Sequence, residues 1–217
     1  MINLLPNRIE GGRLLAAELI HYAGYPRLVV LGLPRGGLPV AFEVARVLGA
    51  PLDVLPVRKL GLPGQEELAI GAVASGGICT LDSELIETLS IPRTVIAQMV
   101  AQQQRELHSR ERLYRGERPA LELGRSTVIL VDDGIATGWT MQAAVKAVRR
   151  HQPDRLIVAA PVISAAAYDR LQIDVDEVVC LATPAPFYSV GSWYQDFAQV
   201  PDEEVQRLLA QSAQKAA

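Results

Sequence analysis

Short, almost purely apolar runs alternate with segments of helical spacing along this chain, and this alternation most constrains its fold. The clearest runs are LVVLGL at residues 28–33, VILV at 128–131 and RLIVAAPV at 155–162. A run that is apolar at nearly every position is typical of a strand buried on both faces. Strands that alternate with helices form parallel sheets. The sequence therefore predicts an α/β fold with a mostly parallel central sheet flanked by helices.

The remaining elements follow from the same periodicities. Further strands are expected at residues 52–57 and 177–181, and a hairpin at 68–73 and 78–81 around Ser75-Gly76-Gly77. Helices are expected at residues 11–22, 38–48, 92–115 and 202–213, with another that ends near residue 150. Residues 58–67 read as a polar, Gly/Pro-rich loop. Residues 183–197 read as irregular and hold five of the eleven aromatic residues.

Composition narrows the class of protein. A chain of 217 residues fits one domain, predicted here as residues 1–217. A net charge of −3 argues against non-specific nucleic-acid binding. Two cysteines are too few for a disulfide scaffold, so a cytoplasmic location is expected. No apolar stretch approaches the ~20 residues of a membrane span.

The segment VILVDDGIATGWT carries the strongest chemical signal. Asp132 and Asp133 come directly after an apolar strand, and a turn of small residues follows them. Backbone N–H groups of such a turn, at the start of a helix, bind phosphate, and Thr137 and Thr140 add hydroxyl groups. Paired carboxylates suit two adjacent sugar hydroxyls. The segment therefore predicts a ribose 5-phosphate site, and the alternative is an acidic N-cap at Asp133.

Two other segments follow predicted strands and carry basic residues. In PRGG, Gly36 and Gly37 allow close approach of the backbone to an anion, and Arg35 supplies positive charge. In VRKLGLPG, Lys59 is one of only three lysines, and the glycines and proline after it suit a lid. The alternatives are an ordinary glycine-rich turn and a solvated surface lysine.

These three segments together resemble those of the type I phosphoribosyltransferases, over roughly residues 28–181. The resemblance implies binding of phosphoribosyl diphosphate (PRPP), whose 5-phosphoribosyl group passes to a nitrogenous acceptor, such as a nucleobase, with release of pyrophosphate. Its ribose 5-phosphate would contact Asp132, Asp133, Gly134, Ile135, Ala136, Thr137, Gly138 and Thr140. Its pyrophosphate would contact Arg35, Gly36, Gly37 and Lys59. The catalytic residues would be Arg58, Lys59, Asp132 and Asp133.

The same resemblance implies Mg²⁺ on the pyrophosphate and ribose oxygens, and a variable hood over the base. We expect the hood mainly at residues 183–200, with the N-terminal segment beside it. Phe187, Tyr188 and Trp193 either stack on the acceptor or form a small core of the hood. Asp196 is the one candidate for a protein carboxylate near the metal.

The acceptor is not fixed by the sequence. Enzymes for 6-oxopurines usually carry an acid where this chain has Ala136, which argues against hypoxanthine and guanine. The second hypothesis is a PRPP-binding regulator on the same fold without catalysis, and the intact Lys59 segment favours an enzyme. A homodimer is left open.

Overall fold

The computed structural model describes residues 4–62, 65–74 and 78–216. In chain order, the elements are α1 (Arg8–Glu18), β1 (Leu28–Gly32), α2 (Gly37–Leu48), β2 (Leu52–Val54), β3 (Val57–Leu62), β4 (Gln65–Ala74), β5 (Ile78–Leu81), α3 (Ser83–Thr88), α4 (Arg93–Arg115), β6 (Thr127–Val131), α5 (Trp139–Arg149), β7 (Arg155–Val162), α6 (Ala165–Leu171), β8 (Glu177–Ala182) and α7 (Asp202–Ala216). One-turn 3₁₀ helices lie at Ile20–Tyr22 and Gly191–Trp193.

Five parallel strands form the central sheet, in the order β2-β1-β6-β7-β8. Strand β1 pairs with β6 over its whole length, and Gly32 lies opposite Val131 at their carboxyl ends. This sheet confirms the predicted α/β architecture. It also places the PRGG segment beside the Asp132-Asp133 segment, because each directly follows one of two neighbouring strands.

Helices cover both faces of the sheet, which explains why its strands are apolar throughout. Val30 and Ile129 belong to a buried cluster with residues of α1, α2 and α7. Leu31 and Leu130 belong to a second cluster, which includes residues of α5 and α6. No helix in the described part of the chain is long and apolar enough to cross a membrane.

The prediction of a loop at residues 58–67 is wrong. Its described residues belong to β3 and β4, which pair antiparallel and form with β5 a second sheet of three strands, called here the small sheet. The register shifts around Gly61, which is where the glycine content suggested a loop. Residues 75–77, the expected turn of the hairpin, and residues 63–64 lie outside the described residues.

The small sheet has its own buried cluster on the side of α4. Leu60, Ile70 and Val73 pack with Leu107 of that helix. On the other side, alanines of β4 pack in the cluster that contains α5. The small sheet therefore lies between two helices, which bury its apolar residues.

Several boundaries also differ from prediction. Helix α1 begins at Arg8 because the Asn7 side chain accepts a hydrogen bond from the Glu10 N–H, three residues before the first expected position. Helix α3 was not predicted, and Pro92 is the N-cap of α4 rather than its first residue. Strand β2 ends at Val54, three residues early, and α7 continues to Ala216.

Candidate active site

Two loops meet at the carboxyl ends of β1 and β6. We call residues 34–37 the glycine loop and residues 132–138 the acid loop. A Cβ atom on Gly36 would overlap Asp133 Oδ2, and one on Gly37 would lie 2.9 Å from the Asp132 Cα. Only glycine allows this approach without a shift of the neighbouring atoms. The peptide bond between Pro34 and Arg35 is cis.

The two carboxylates of the acid loop have restricted access to solvent, and Asp133 is the more buried of the two. Burial raises the pKa of Asp132 well above its ordinary value, and the adjacent Asp133 carboxylate raises it further. The Asp132 side chain is half-buried, and its Oδ1 accepts a 2.8 Å hydrogen bond from the Asp133 N–H. Burial also raises the pKa of Asp133, against the opposing effect of the Arg8 guanidinium.

Arg8, on the first turn of α1, is the cation that partners Asp133. Its Nε donates to Asp133 Oδ2 at 2.8 Å, and both side chains are nearly buried, with exposed fractions of 11% and 13%. A second nitrogen donates to the Ala198 carbonyl at 2.7 Å. The guanidinium also lies 3.8 Å from the centre of the Phe197 ring. Arg8 therefore joins α1, the acid loop and the segment after β8.

Residues 183–200, which we call the hood segment, contact the acid loop directly. The Tyr194 hydroxyl donates to the Asp133 carbonyl at 2.6 Å. A Cβ atom on Gly134 would overlap a methyl carbon of Val190. The N-terminal segment pairs with the hood segment, because the Leu5 N–H donates to the Trp193 carbonyl and the Gln195 N–H to the Leu5 carbonyl. These contacts hold the hood segment and the N-terminal segment against the acid loop.

The turn at the end of the acid loop has an uneven hydrogen-bond pattern. Its carbonyl oxygens at Ile135, Ala136 and Thr137 all accept hydrogen bonds. Within the described residues, the N–H groups of Ala136, Thr137 and Gly138 have no protein acceptor. Gly138 has a positive φ of 83° and is the N-cap of α5. Consecutive unpaired N–H groups at a helix start form an anion-binding turn.

The predicted basic residues do not all lie free at the site. The Arg35 side chain is half-buried and Lys59, on β3, is exposed, and neither has an acidic partner among the described residues. Arg58 instead pairs with Glu106 at 2.5 Å and donates to Gln103 at 2.8 Å, both on α4. Arg58 thus connects the small sheet to α4.

The aromatic residues of the hood segment differ in exposure. Tyr188 is 84% exposed, while Phe187 and Trp193 are half-buried and face each other with ring centres 6.5 Å apart. The Trp193 Nε1 is buried without a hydrogen-bond partner in the described structure. Asp196 is exposed, and its Oδ1 accepts a hydrogen bond from the Ala198 N–H.

The acidic residues fit a magnesium ion held mainly by substrate oxygens. Among the described residues there is no group of three or more His, Cys, Asp or Glu side chains that could hold a metal. Mg²⁺ commonly binds through one or two carboxylates, several waters and substrate phosphates. The exposed carboxylate of Asp196 suits that mode.

Sequence reasoning missed four residues at this site. Arg8 and Tyr194 reach Asp133 from 125 and 61 residues away, so no local pattern reveals them. Ser164 carried a signal, since a serine after a predicted strand and before a helix is a common N-cap. Arg170, which contacts the Thr137 carbonyl, carried none.

Comparison with known proteins gives a family match and similar structures. The chain matches the phosphoribosyl transferase domain family over residues 1–191. Two Mycobacterium tuberculosis proteins, from strains CDC 1551 and H37Rv, carry the name of a candidate phosphoribosyl transferase. Each is 43% identical to this chain over 208 residues, which are 96% of the chain and 47% of the relative. The chain thus spans about half the length of the curated relatives it matches.

Two solved structures are also similar. A crystal structure of a Thermus thermophilus protein is 42% identical, with a TM-score of 0.82 over 97% of this chain and 99% of the other. A hypothetical protein of Neisseria gonorrhoeae, solved with bound ppGpp, is 13% identical with a TM-score of 0.50, over 97% and 98% of the two chains. The second similarity concerns the fold alone.

Proposed function

This chain belongs to the phosphoribosyl transferase family, and from that membership we propose that it transfers the 5-phosphoribosyl group of PRPP to a nitrogenous acceptor. The acceptor nitrogen forms a bond to C1 of the ribose as the bond from C1 to the pyrophosphate oxygen breaks. The pyrophosphate leaves with the electron pair of that bond, and the nitrogen releases its proton. The observation that carries the proposal is the contact of the glycine loop with the carboxylates beside an anion-binding turn.

In this proposal the acid loop binds the ribose 5-phosphate. The unpaired N–H groups of Ala136, Thr137 and Gly138 donate to the 5-phosphate, and the Thr137 and Thr140 hydroxyls add donors. Asp132 accepts from a ribose hydroxyl. Asp133 contributes less through its side chain, because Oδ2 is already bonded to Arg8. This unequal use of the two acids refines the symmetric role that the sequence suggested.

The pyrophosphate then lies at the glycine loop, beside the half-buried Arg35. Lys59 approaches it from the small sheet and stabilises the departing charge. Arg58 acts through its ion pair with Glu106, which holds β3 against α4. Asp196 is the candidate carboxylate that would hold Mg²⁺, and that ion would supply positive charge to the departing pyrophosphate. The protein's own contribution is positioning and charge stabilisation.

For the acceptor, we propose a planar nitrogenous compound other than hypoxanthine or guanine. Ala136 leaves no acid in the turn, and Phe187, Tyr188 and Trp193 offer flat surfaces in the hood segment. Adenine and a pyrimidine are the leading candidates, slightly ahead of a nitrogenous compound outside the well-known acceptor classes.

Calorimetry with PRPP, with and without Mg²⁺, tests the first step. We expect binding that Asp132→Asn weakens about 10- to 100-fold, since a hydrogen bond to a charged group contributes ~1.5–3 kcal/mol. Asp196→Asn is the paired variant for the metal, and it should weaken binding only when Mg²⁺ is present. Failure of the wild type to bind millimolar PRPP would contradict the proposal.

Pyrophosphate release across a panel of bases and small amines then tests catalysis. Turnover with one class identifies the acceptor. Fast turnover of hypoxanthine or guanine would refute the argument from Ala136. Tight PRPP binding without turnover on any acceptor would favour the regulatory hypothesis over the enzyme.

A further inference from the structure

Helix α6 and its N-cap Ser164 bind three successive carbonyl groups of the acid loop. The Ser164 N–H donates to the Ile135 carbonyl at 2.8 Å, and the Ser164 hydroxyl donates to the Ala136 carbonyl at 2.5 Å. The Arg170 guanidinium donates to the Thr137 carbonyl at 3.2 Å. Every carbonyl along this stretch is therefore turned toward the same neighbouring element.

This pattern fixes the direction of the N–H groups in between. In a planar trans peptide the C=O of one residue and the N–H of the next point in opposite directions. The peptide bonds of this stretch are trans. The N–H groups of Ala136, Thr137 and Gly138 therefore point away from α6, and within the described residues they have no protein acceptor.

We propose that Ser164 and Arg170 are positioning residues of the anion-binding turn. They hold its carbonyls on the α6 side, so that three consecutive N–H donors are presented together to a phosphate. The inference rests on the proposed function, because the phosphate is taken to be the 5-phosphate of a phosphoribosyl ligand.

Further contacts make this arrangement rigid. The Ser164 hydroxyl also accepts from the Ala167 N–H as the N-cap of α6, so one side chain orders both the helix and the turn. Ala167 lies 3.4 Å from the place of a Cβ on Gly138. The Arg170 guanidinium lies 5.3 Å from the centre of the Trp139 ring, within the range of a cation–π attraction. Arg170 has no acidic partner in the described structure, so its charge also favours an anion nearby.

The test compares two ligands that reach different parts of the site: ribose 5-phosphate, and pyrophosphate with Mg²⁺. We expect Ser164→Ala and Arg170→Gln each to weaken ribose 5-phosphate binding about tenfold or more, since misaligned donors lose bonds to a charged group. Pyrophosphate affinity should stay within about twofold, because the glycine loop is unchanged. Ser164→Thr keeps the hydroxyl and should restore ribose 5-phosphate binding.

Matched controls separate positioning from general stability and charge. Asp82→Ala removes the N-cap of α3, a helix of similar length away from the site, and should lower thermal stability without changing either affinity. Arg150→Gln removes an exposed positive charge at the other end of α5 and should likewise have no effect on binding. Loss of a helix cap alone should not change the ratio of the affinities for ribose 5-phosphate and for pyrophosphate, so this ratio reports on positioning.

The outcomes separate failure of the proposed function from failure of the positioning role. If the wild type binds neither ligand, the proposed function fails. If the wild type binds ribose 5-phosphate and both substituted proteins bind it equally well, the positioning role is refuted while the function stands. An equal loss for both ligands would also refute it, because the damage would then not be confined to the turn.

Discussion

Removal of the Arg8 guanidinium is the most informative perturbation of this site. Arg8→Met keeps most of the side-chain length, but it removes the guanidinium that faces Phe197 and leaves Asp133 without its cation. The Asp133 carboxylate is only 13% exposed, so water cannot replace the lost partner. Breaking a buried ion pair from one side costs about 3–5 kcal/mol, mainly because the remaining charge is left unpaired.

An exposed pair in the same protein supplies the comparison. Arg207 and Glu204 of α7 lie 2.7 Å apart, with exposed side-chain fractions of 59% and 34%. Exposed pairs of this kind contribute about 0–1 kcal/mol. We therefore expect Arg8→Met to lower the free energy of unfolding several times more than Arg207→Met.

The loss should depend on pH. Without Arg8, the pKa of Asp133 rises further above its ordinary value of 3.8, since burial remains and the opposing guanidinium is gone. An acid whose pKa is raised by folding stabilises the fold when protonated, and this stabilisation is lost as the pH rises through the raised pKa. The difference between Arg8→Met and wild type should therefore be largest at neutral pH and shrink toward mildly acidic pH.

Urea denaturation of the wild type, Arg8→Met, Asp133→Asn and the double variant measures the interaction. We expect a coupling free energy of about 2–3 kcal/mol, the upper range for residues in contact. Arg8→Lys should fall between wild type and Arg8→Met, because an ammonium group cannot also bind the Ala198 carbonyl in the same fork. A loss below ~1 kcal/mol, with no pH dependence, would refute the assignment of a buried, uncompensated charge.

Three further outcomes are expected. Asp132→Asn should raise the free energy of unfolding at neutral pH, because burial and the Asp133 carboxylate raise the pKa of Asp132 and disfavour its charged form. Denaturation curves at several pH values should show this gain disappear below pH 3.8, the ordinary pKa of the group. Gly36→Ala should lower the free energy of unfolding by ~1–3 kcal/mol and weaken PRPP binding, since its Cβ overlaps the Asp133 carboxylate. Its control is Gly124→Ala, whose Cβ would meet only a carbonyl at 3.4 Å and which should change the free energy of unfolding by less than ~1 kcal/mol. Lys59→Ala should lower kcat by about tenfold or more with little change in PRPP affinity, and an unchanged kcat would reassign Lys59 to the solvated surface.

The parts of the fold that could be predicted are the buried strands, because each of them is a run of consecutive apolar residues. The runs at β1, β6 and β7 are apolar on both faces because helices cover both sides of the sheet. The position of the glycine loop and the acid loop at the carboxyl edge of the sheet also followed, because ligand-binding loops lie at the carboxyl ends of parallel strands. Their adjacency depends on the pairing of β1 with β6, which the sequence did not predict.

The elements and contacts that could not be predicted depend on residues far away in the sequence. Residues 58–67 look like a loop because they are mainly polar and contain glycine and proline, yet they include most of β3, whose Leu60 is buried in a cluster with Leu107 of α4. Arg58 likewise contacts Gln103 and Glu106 of α4, which lie 45 or more residues further along the chain. Tertiary packing overrides local propensity at such places, and one sequence carries no trace of the partner.

The pairing of β1 with β6 also bears on how the site comes into existence during folding. Gly32 and Val131, which end the two strands, are separated by about one hundred residues of chain, so their contact closes a long loop. Contacts of such wide sequence separation form slowly and only after the intervening chain is available. A ribosome-bound chain that has not yet exposed residues 127–131 therefore has a glycine loop but no carboxylates beside it. Ligand binding during synthesis can begin only once β6 has emerged and paired with β1.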